Sequence, residues 1–225
     1  MSEFMDIITS DNLSYKQKVL HLAQAAENSE HPIKTTAEFD RLFAAHALDD
    51  MCEGNAPYRP RYICPDYQVF AQNGSEFLRF DKPETLDDLL WGLAALYDNV
   101  PSVTSRPVYV GQLDKIIVPF LEGMTDDEIK PRLRRFLNHI DRTVASGYCH
   151  ANIGPEDTHA GRLLLEVDRE LMNAVPNFTL KYDPEVTSDE FMRLAVKTTM
   201  VCSNPAFANH RIHKETYPGE YTVVS

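Results

Sequence analysis

Short strand-like apolar runs alternate with longer segments of helical periodicity through most of the second half of the chain. Runs such as 107–111, 148–152 and 178–182 have the length and residue types of buried strands. The segments between and around them repeat apolar residues every three or four positions. Each begins at a threonine that can cap a helix: Thr85, Thr125, Thr158 and Thr187. Strands separated by helices of this length predict crossover units, and therefore an α/β fold with a mainly parallel sheet.

The N-terminal part has a different pattern, because helical segments follow one another there without strands between them. Two pairs with capping-box spacing open these helices: Ser14 with Gln17, and Thr35 with Glu38. Residues 54–65 are rich in proline and predict an irregular linker. We therefore expect a helical N-terminal region over 1–57 and an α/β domain over 58–225.

Charge and hydropathy exclude several classes of protein. The 225 residues include 22 Lys and Arg against 34 Asp and Glu, a formal net charge of −12. This acidity opposes binding to nucleic acid and to anionic membranes, so we expect neither as a partner. No apolar run is long enough to span a bilayer, and the N-terminus lacks the pattern of a signal peptide. The four scattered cysteines form no C-x-x-C pair, which indicates free thiols and a cytoplasmic location.

The richest polar segment, residues 150–162, follows a predicted strand and leads into a predicted helix. Ligands of α/β proteins bind at such strand ends. His150, Asp157 and His159 have the chemistry to bind a metal, or His150 to act as a general acid or base. A tight turn followed by a capped helix explains the same residues. Because zinc sites normally have more ligands at tighter spacing, we predict no metal site.

A second polar segment, 202–210, combines Cys202 with His210. A cysteine near a histidine is one pattern of a thiolate nucleophile. No nucleophile-elbow sequence surrounds Cys202, however, and a single cysteine after a helix is more often a small buried apolar residue. The segment by itself therefore predicts no catalytic residue.

Several strings in this half of the chain are more specific. They are PVYVGQLD at 107–114, DRTV at 141–144, HANIGP at 150–155, VPNFTLKYDPEVT at 175–187 and PAFANH at 205–210. Together they resemble the glycyl radical enzymes, and most closely the YjjI-type branch of the pyruvate formate-lyase and anaerobic ribonucleotide reductase superfamily. The resemblance covers about residues 58–225.

The resemblance implies a fold and a chemistry. The fold is an α/β barrel of two antiparallel half-sheets, each parallel within itself, so this chain would supply a helical cap and a parallel half-sheet with flanking helices. In the complete enzyme a radical SAM activating enzyme installs a glycyl radical, and a barrel cysteine then attacks a small-molecule substrate as a thiyl radical. Such chemistry implies an anaerobic cytoplasm and an enclosed, dry barrel. Five residues are positioned to line the barrel interior as wall or substrate contacts: His150, Asn152, Cys202, Asn209 and His210.

The chain departs from the family's pattern at its end. The resemblance places the thiyl cysteine just after a strand at Tyr221–Val224 and the radical glycine further on, so neither catalytic residue is carried over. Cys202 lies before that strand and is not assigned the thiyl role. We therefore expect a truncated N-terminal portion that binds no cofactor and is inactive without the remaining barrel segment or a second polypeptide. A mutated gene remnant, a split gene or a UGA codon read as selenocysteine would each account for this end.

Two other classes of function remain open. One is a non-catalytic α/β assembly or binding module, which needs no second polypeptide. The other is a metal-dependent or hydrolytic enzyme that uses His150, Asp157 and His159, and it requires bound metal in the isolated chain.

Overall fold

The structure is a computed structural model that describes residues 3–29, 35–48, 66–104, 108–143 and 149–216. These residues belong to two compact units, one within Met1–Ile63 and Val100–Arg106, the other within Cys64–Asn99 and Pro107–Ser225. The predicted linker at 54–65 and the predicted strand at 221–224 lie outside the described residues. Within the described ranges, no helix has both the length and the hydropathy needed to cross a membrane.

The described residues of the first unit include the helices α1 (Glu3–Thr9), α2 (Tyr15–Ser29) and α3 (Ala37–Ala44). The capping box of α2 is confirmed, because the Ser14 amide donates to the Gln17 side chain at 3.0 Å and the Gln17 amide donates back to the Ser14 hydroxyl at 3.4 Å. Helix α3 is capped one residue later than predicted. The Thr36 hydroxyl accepts from the Phe39 amide at 3.1 Å and so caps the helix. The Thr35 hydroxyl instead donates a hydrogen bond to a side chain of the helix.

The second unit alternates strands and helices as the sequence predicts. Its helices are α4 (Tyr67–Asn73), α5 (Leu86–Thr104, whose last turn belongs to the first unit), α6 (Leu113–Ile117), α7 (Asp126–Thr143), α8 (His159–Leu171), α9 (Asp189–Cys202) and α10 (His210–Thr216). A short 3₁₀ turn, Val118–Phe120, follows α6. The strands are β1 (Val108–Gln112), β2 (Cys149–Ile153), β3 (Asn177–Tyr182) and β4 (Ala206–Asn209).

The four strands form one sheet in the order β1-β2-β3-β4, and every neighbouring pair is parallel. Parallel neighbours need a crossover, and α7, α8 and α9 lie in the three crossovers. The α/β class and the parallel sheet are therefore confirmed.

One face of the sheet is apolar and lies in the core. On β2 and β3 this face consists of Cys149, Ala151, Ile153, Phe178 and Leu180, all buried. Helix α8 packs against both α7 and α9, and its apolar stripe is buried as well. Burial of these side chains supplies the main driving force for the layer of helices to pack on the sheet.

Helix α8 ends at Leu171. Met172 adopts a left-handed conformation with φ 50°. The carboxylate of Asp141, on α7, then accepts the amides of Ala174 at 3.0 Å and Val175 at 3.1 Å. The end of α8 is thus set by a contact with another helix.

Candidate functional site

Polar side chains share the second face of the parallel sheet. Tyr109 of β1 lies opposite His150 of β2, and Asn152 of β2 lies opposite Thr179 of β3. Side chains alternate along a strand, so Lys181 projects on the same side as Thr179. We call these five residues the polar face: Tyr109, His150, Asn152, Thr179 and Lys181.

The polar face is buried. Only 2% of His150, 0% of Asn152 and 5% of Lys181 is accessible to solvent. The hydroxyl of Tyr109 donates to the side-chain oxygen of Asn152 and so connects β1 to β2. Burial lowers the pKa of His150, which favours the neutral form of its imidazole. Buried polar groups are costly for stability, and a cluster of them on one face is typical of a ligand-binding surface.

The loop that follows β2 is fixed by contacts at the carboxyl edge of the sheet. Asp114, fully buried at the start of α6, accepts from the Gly154 amide at 3.1 Å and from the Thr158 hydroxyl at 3.0 Å. Gly154 has φ +74°, and a Cβ there would lie 3.2 Å from the carbonyl oxygen of Lys181. Burial raises the pKa of Asp114 to about 6. Glycine at this position lets the loop pass close to β3.

The loops after β2 and β3 are also joined to each other. The Thr187 hydroxyl donates to the carbonyl of Pro155 at 2.8 Å and accepts from the Asp183 amide at 3.1 Å. The carboxylate of Asp157 bonds both Arg162 and Ser188. These contacts hold the carboxyl edge of the sheet in one arrangement.

The five wall residues predicted from the sequence fall in different places. His150 and Asn152 lie together on the polar face. His210 is the first residue of α10, and its pKa is lowered by burial and, among its charged neighbours, by Lys181. Asn209 pairs with Tyr182 across the sheet, and its side-chain oxygen accepts from the Ile212 amide at 3.2 Å.

Cys202 lies at the end of α9, in a cluster of buried polar groups. Its thiol is 3.7 Å from a carboxylate oxygen of Asp168 and 3.4 Å from the carbonyl oxygen of Asn204. Burial, together with the charge of Asp168, raises the pKa of Cys202. The thiol is therefore protonated at neutral pH, and the cluster favours a structural role over a nucleophilic one.

The three residues of the metal-dependent alternative have separate contacts. His150 belongs to the polar face, Asp157 pairs with Arg162, and a ring nitrogen of His159 lies 2.7 Å from a carboxylate oxygen of Asp126. In the part of the chain that the structure describes, no three His, Cys, Asp or Glu side chains are grouped as metal ligands. This geometry gives the metal-dependent alternative no support.

A model of the family described as "Glycyl radical enzyme YjjI-like" matches residues 13–225. The chain belongs to this family. A Haemophilus influenzae protein is 44% identical over 228 residues, which is 100% of this chain and 44% of that protein. The protein YjjI of Escherichia coli is 44% identical over 220 residues, which is 97% of this chain and 43% of YjjI. The chain thus spans less than half the length of these relatives.

Sequence reasoning missed three members of the polar face in this YjjI-like chain: Tyr109, Thr179 and Lys181. The alternation of β3 was visible in the sequence, and it already placed Thr179 and Lys181 on one side of the strand. An alternating strand normally predicts that its polar side faces solvent. The signal that the sequence lacked was burial of both faces of the sheet.

Proposed function

We propose that this chain forms part of the α/β barrel of a YjjI-like glycyl radical enzyme that acts, in its complete form, on a small molecule. The family match over residues 13–225 is the observation that carries the proposal. The sheet supports it, because its four strands are all parallel, as the strands within one half-sheet of such a barrel are. The relatives have more than twice the matched length, which leaves room for a second half-sheet.

In this proposal the polar face is a wall of the substrate chamber. His150 and Asn152 contact the substrate, Asn209 and His210 lie at the rim where β4 ends, and Cys202 stabilises the fold at the end of α9. The low exposure of His150 and Asn152 supports this assignment, because radical chemistry requires a site that excludes water and other quenchers.

In the complete enzyme, a glycyl radical supplies the hydrogen-atom abstraction. Neither the radical glycine nor the thiyl cysteine is assigned to this chain. Both belong to the remaining barrel segment or to a second polypeptide, and a radical SAM activating enzyme is the second partner. The residues described here bind and orient the substrate and exclude water. The proposed setting is an anaerobic cytoplasm.

A chimaera tests the proposal. The 220 matched residues of E. coli YjjI are replaced by this chain, and the purified chimaera is incubated without oxygen with the activating enzyme, a reductant and S-adenosylmethionine. We expect the electron paramagnetic resonance signal of a glycyl radical in the chimaera and in E. coli YjjI, and no signal from this chain alone. A folded chimaera without the signal, beside an active E. coli parent, would favour the non-catalytic module instead. No signal from either protein would remove the radical assignment altogether.

A further inference from the structure

We propose that the groove between α5 and α7 is a dimer interface, in which two copies of this chain meet about a twofold axis. The occupant of each groove is Trp91 of the other copy. The groove is formed by helices and shares no residue with the polar face. It is therefore an interaction surface separate from the proposed substrate chamber.

The groove combines an apolar floor with a large volume. Helices α5 and α7 are held together by the rings of Tyr97 and Phe136, whose centroids are 6.2 Å apart, and by the ion pair of Arg132 with Asp87 at 2.9 Å. Between the two helices lies a cavity of about 510 Å³. Its floor consists of three buried apolar side chains: Leu90, Ala94 and Phe136. A cavity of this size and lining can take up a large apolar group.

Trp91 lines this groove and remains largely exposed. It is the single tryptophan of the sequence, and 66% of it is accessible to solvent. No aromatic side chain in the described part of the chain is more exposed. An exposed indole beside an apolar hollow is typical of a protein–protein interface, because tryptophan is enriched among the residues that contribute most to binding. The same surface thus offers a projecting apolar group and a hollow that can receive one.

Charges around the groove favour a second copy over other partners. Asp87 and Asp88 line it from α5, and Arg132 and Arg135 line it from α7, so the two signs balance there in a molecule of formal net charge −12. A partner of one charge sign is repelled by half of these groups. In a twofold dimer each contact occurs twice, so the arginines of either copy can face the acids of the other. Arg135 is accessible for this contact, because its side chain is 72% exposed and lies 3.5 Å from Asp87.

Self-association of the full chain tests the inference, and the single tryptophan reports on the groove itself. Sedimentation velocity gives the mass over a range of concentrations, and acrylamide quenching of Trp91 fluorescence is measured on the same samples. We expect monomers to become dimers as concentration rises, with quenching that falls in proportion to the dimer formed. A chain that stays monomeric over the range, or dimers in which Trp91 is quenched as readily as in monomers, would overturn the inference.

Matched variants identify the surface responsible. Trp91→Ala should weaken dimerisation about tenfold or more, because it removes the group that fills the other copy's groove. Met200→Ala removes a side chain that is 83% exposed on α9, and it should change the affinity less than about twofold. Arg135→Glu leaves an excess of acids around the groove and should weaken dimerisation about fivefold. Wild-type affinity in Trp91→Ala or Arg135→Glu, or an equal loss in Met200→Ala, would contradict the inference.

The chimaera with E. coli YjjI distinguishes a second copy from the remainder of a complete enzyme as the occupant of the groove. We expect the chimaera to dimerise, and Trp91→Ala in the chimaera to weaken the dimer by a similar factor. A monomeric chimaera, or a dimer that Trp91→Ala leaves unchanged, would overturn the inference in favour of another occupant. Neither measurement depends on the glycyl radical signal, so failure of the dimer and failure of the proposed function are distinguishable.

Discussion

Two buried carboxyl groups, Asp114 and Asp168, hold polar contacts between the sheet and its helices. Asp114 accepts from the loop after β2, and Asp168 accepts from the side-chain amide of Asn204 at 2.9 Å. Each has one carboxylate oxygen that is buried without a hydrogen-bond partner among the described residues. Burial is the main reason that the pKa of each group is raised to about 6.

The raised pKa of Asp168 predicts a pH dependence of stability. The folded state holds this proton more tightly than the unfolded state, so its contribution to the free energy of unfolding is largest below about pH 4 and is lost as pH rises to about 6. Relative to Asp168→Asn, the wild type should lose about 2 kcal/mol of stability over this range. Urea unfolding at a series of pH values measures the difference.

Asp88 provides a control of opposite sign. Hydrogen bonds from Thr85 lower the pKa of Asp88, so its stabilising effect is present above its unfolded pKa and is lost as pH falls through its folded pKa. The difference in stability between wild type and Asp88→Asn should therefore shrink as the solution is acidified.

For Asp168, stability profiles of wild type and Asp168→Asn that run parallel over this pH range would show that Asp168 does not titrate as described.

Asn204 connects the start of β3 to α8. Its side-chain oxygen accepts from the Phe178 amide at 2.8 Å, and its amide group donates to Asp168 and, at 3.2 Å, to the carbonyl of Pro176. Asn204→Ala leaves these buried groups without partners and should cost about 3 kcal/mol in urea unfolding. Asn73→Ala, which removes one exposed bond to Val69, should cost less than about 0.5 kcal/mol. Similar losses in both variants would mean that Asn204 does not connect these parts.

At the scale of elements, the starts of helices were predictable from the sequence. Thr85, Thr125 and Thr158 precede α5, α7 and α8 as predicted, because capping depends on residues within one turn of each other. The start of α9 was misplaced by one residue. Ser188 caps α9, since the Thr187 hydroxyl is used by the loop after β2.

Elements defined by distant contacts were not predictable. The sequence predicts no strand in segment 202–210, but the segment contains β4, which pairs with β3. Helices α6 and α10 are too short to show a helical period. The same limit applies to the candidate site: the sequence marked His150 and Asn152, whereas Tyr109 and Lys181 join them only through strand pairing.

The close approach of α4 and α5 depends on a glycine. A Cβ at Gly92 of α5 would lie 2.1 Å from Cζ of Phe70 on α4. Gly92→Ala should therefore cost about 2 kcal/mol, although alanine favours a helix by about 1 kcal/mol over glycine. Thermal unfolding measures the loss. In a Phe70→Leu background the cost of Gly92→Ala should be smaller, and a stabilising Gly92→Ala in the wild type would contradict this packing.

At the scale of the whole molecule, an acidic protein contains a parallel sheet whose polar face is buried. A half-sheet cannot enclose a chamber by itself. In the proposed barrel the second half-sheet comes from the remaining length that the relatives have.

The most direct test of this account is a crystal structure of the chimaera with E. coli YjjI, determined without oxygen. We expect a closed barrel in which β1 to β4 belong to one parallel half-sheet and the E. coli portion forms the other. His150, Asn152 and Lys181 should line the chamber between the two half-sheets. The proposed thiyl cysteine, in the E. coli portion, should face these three residues. An open sheet, or a polar face directed away from the E. coli portion, would contradict the account.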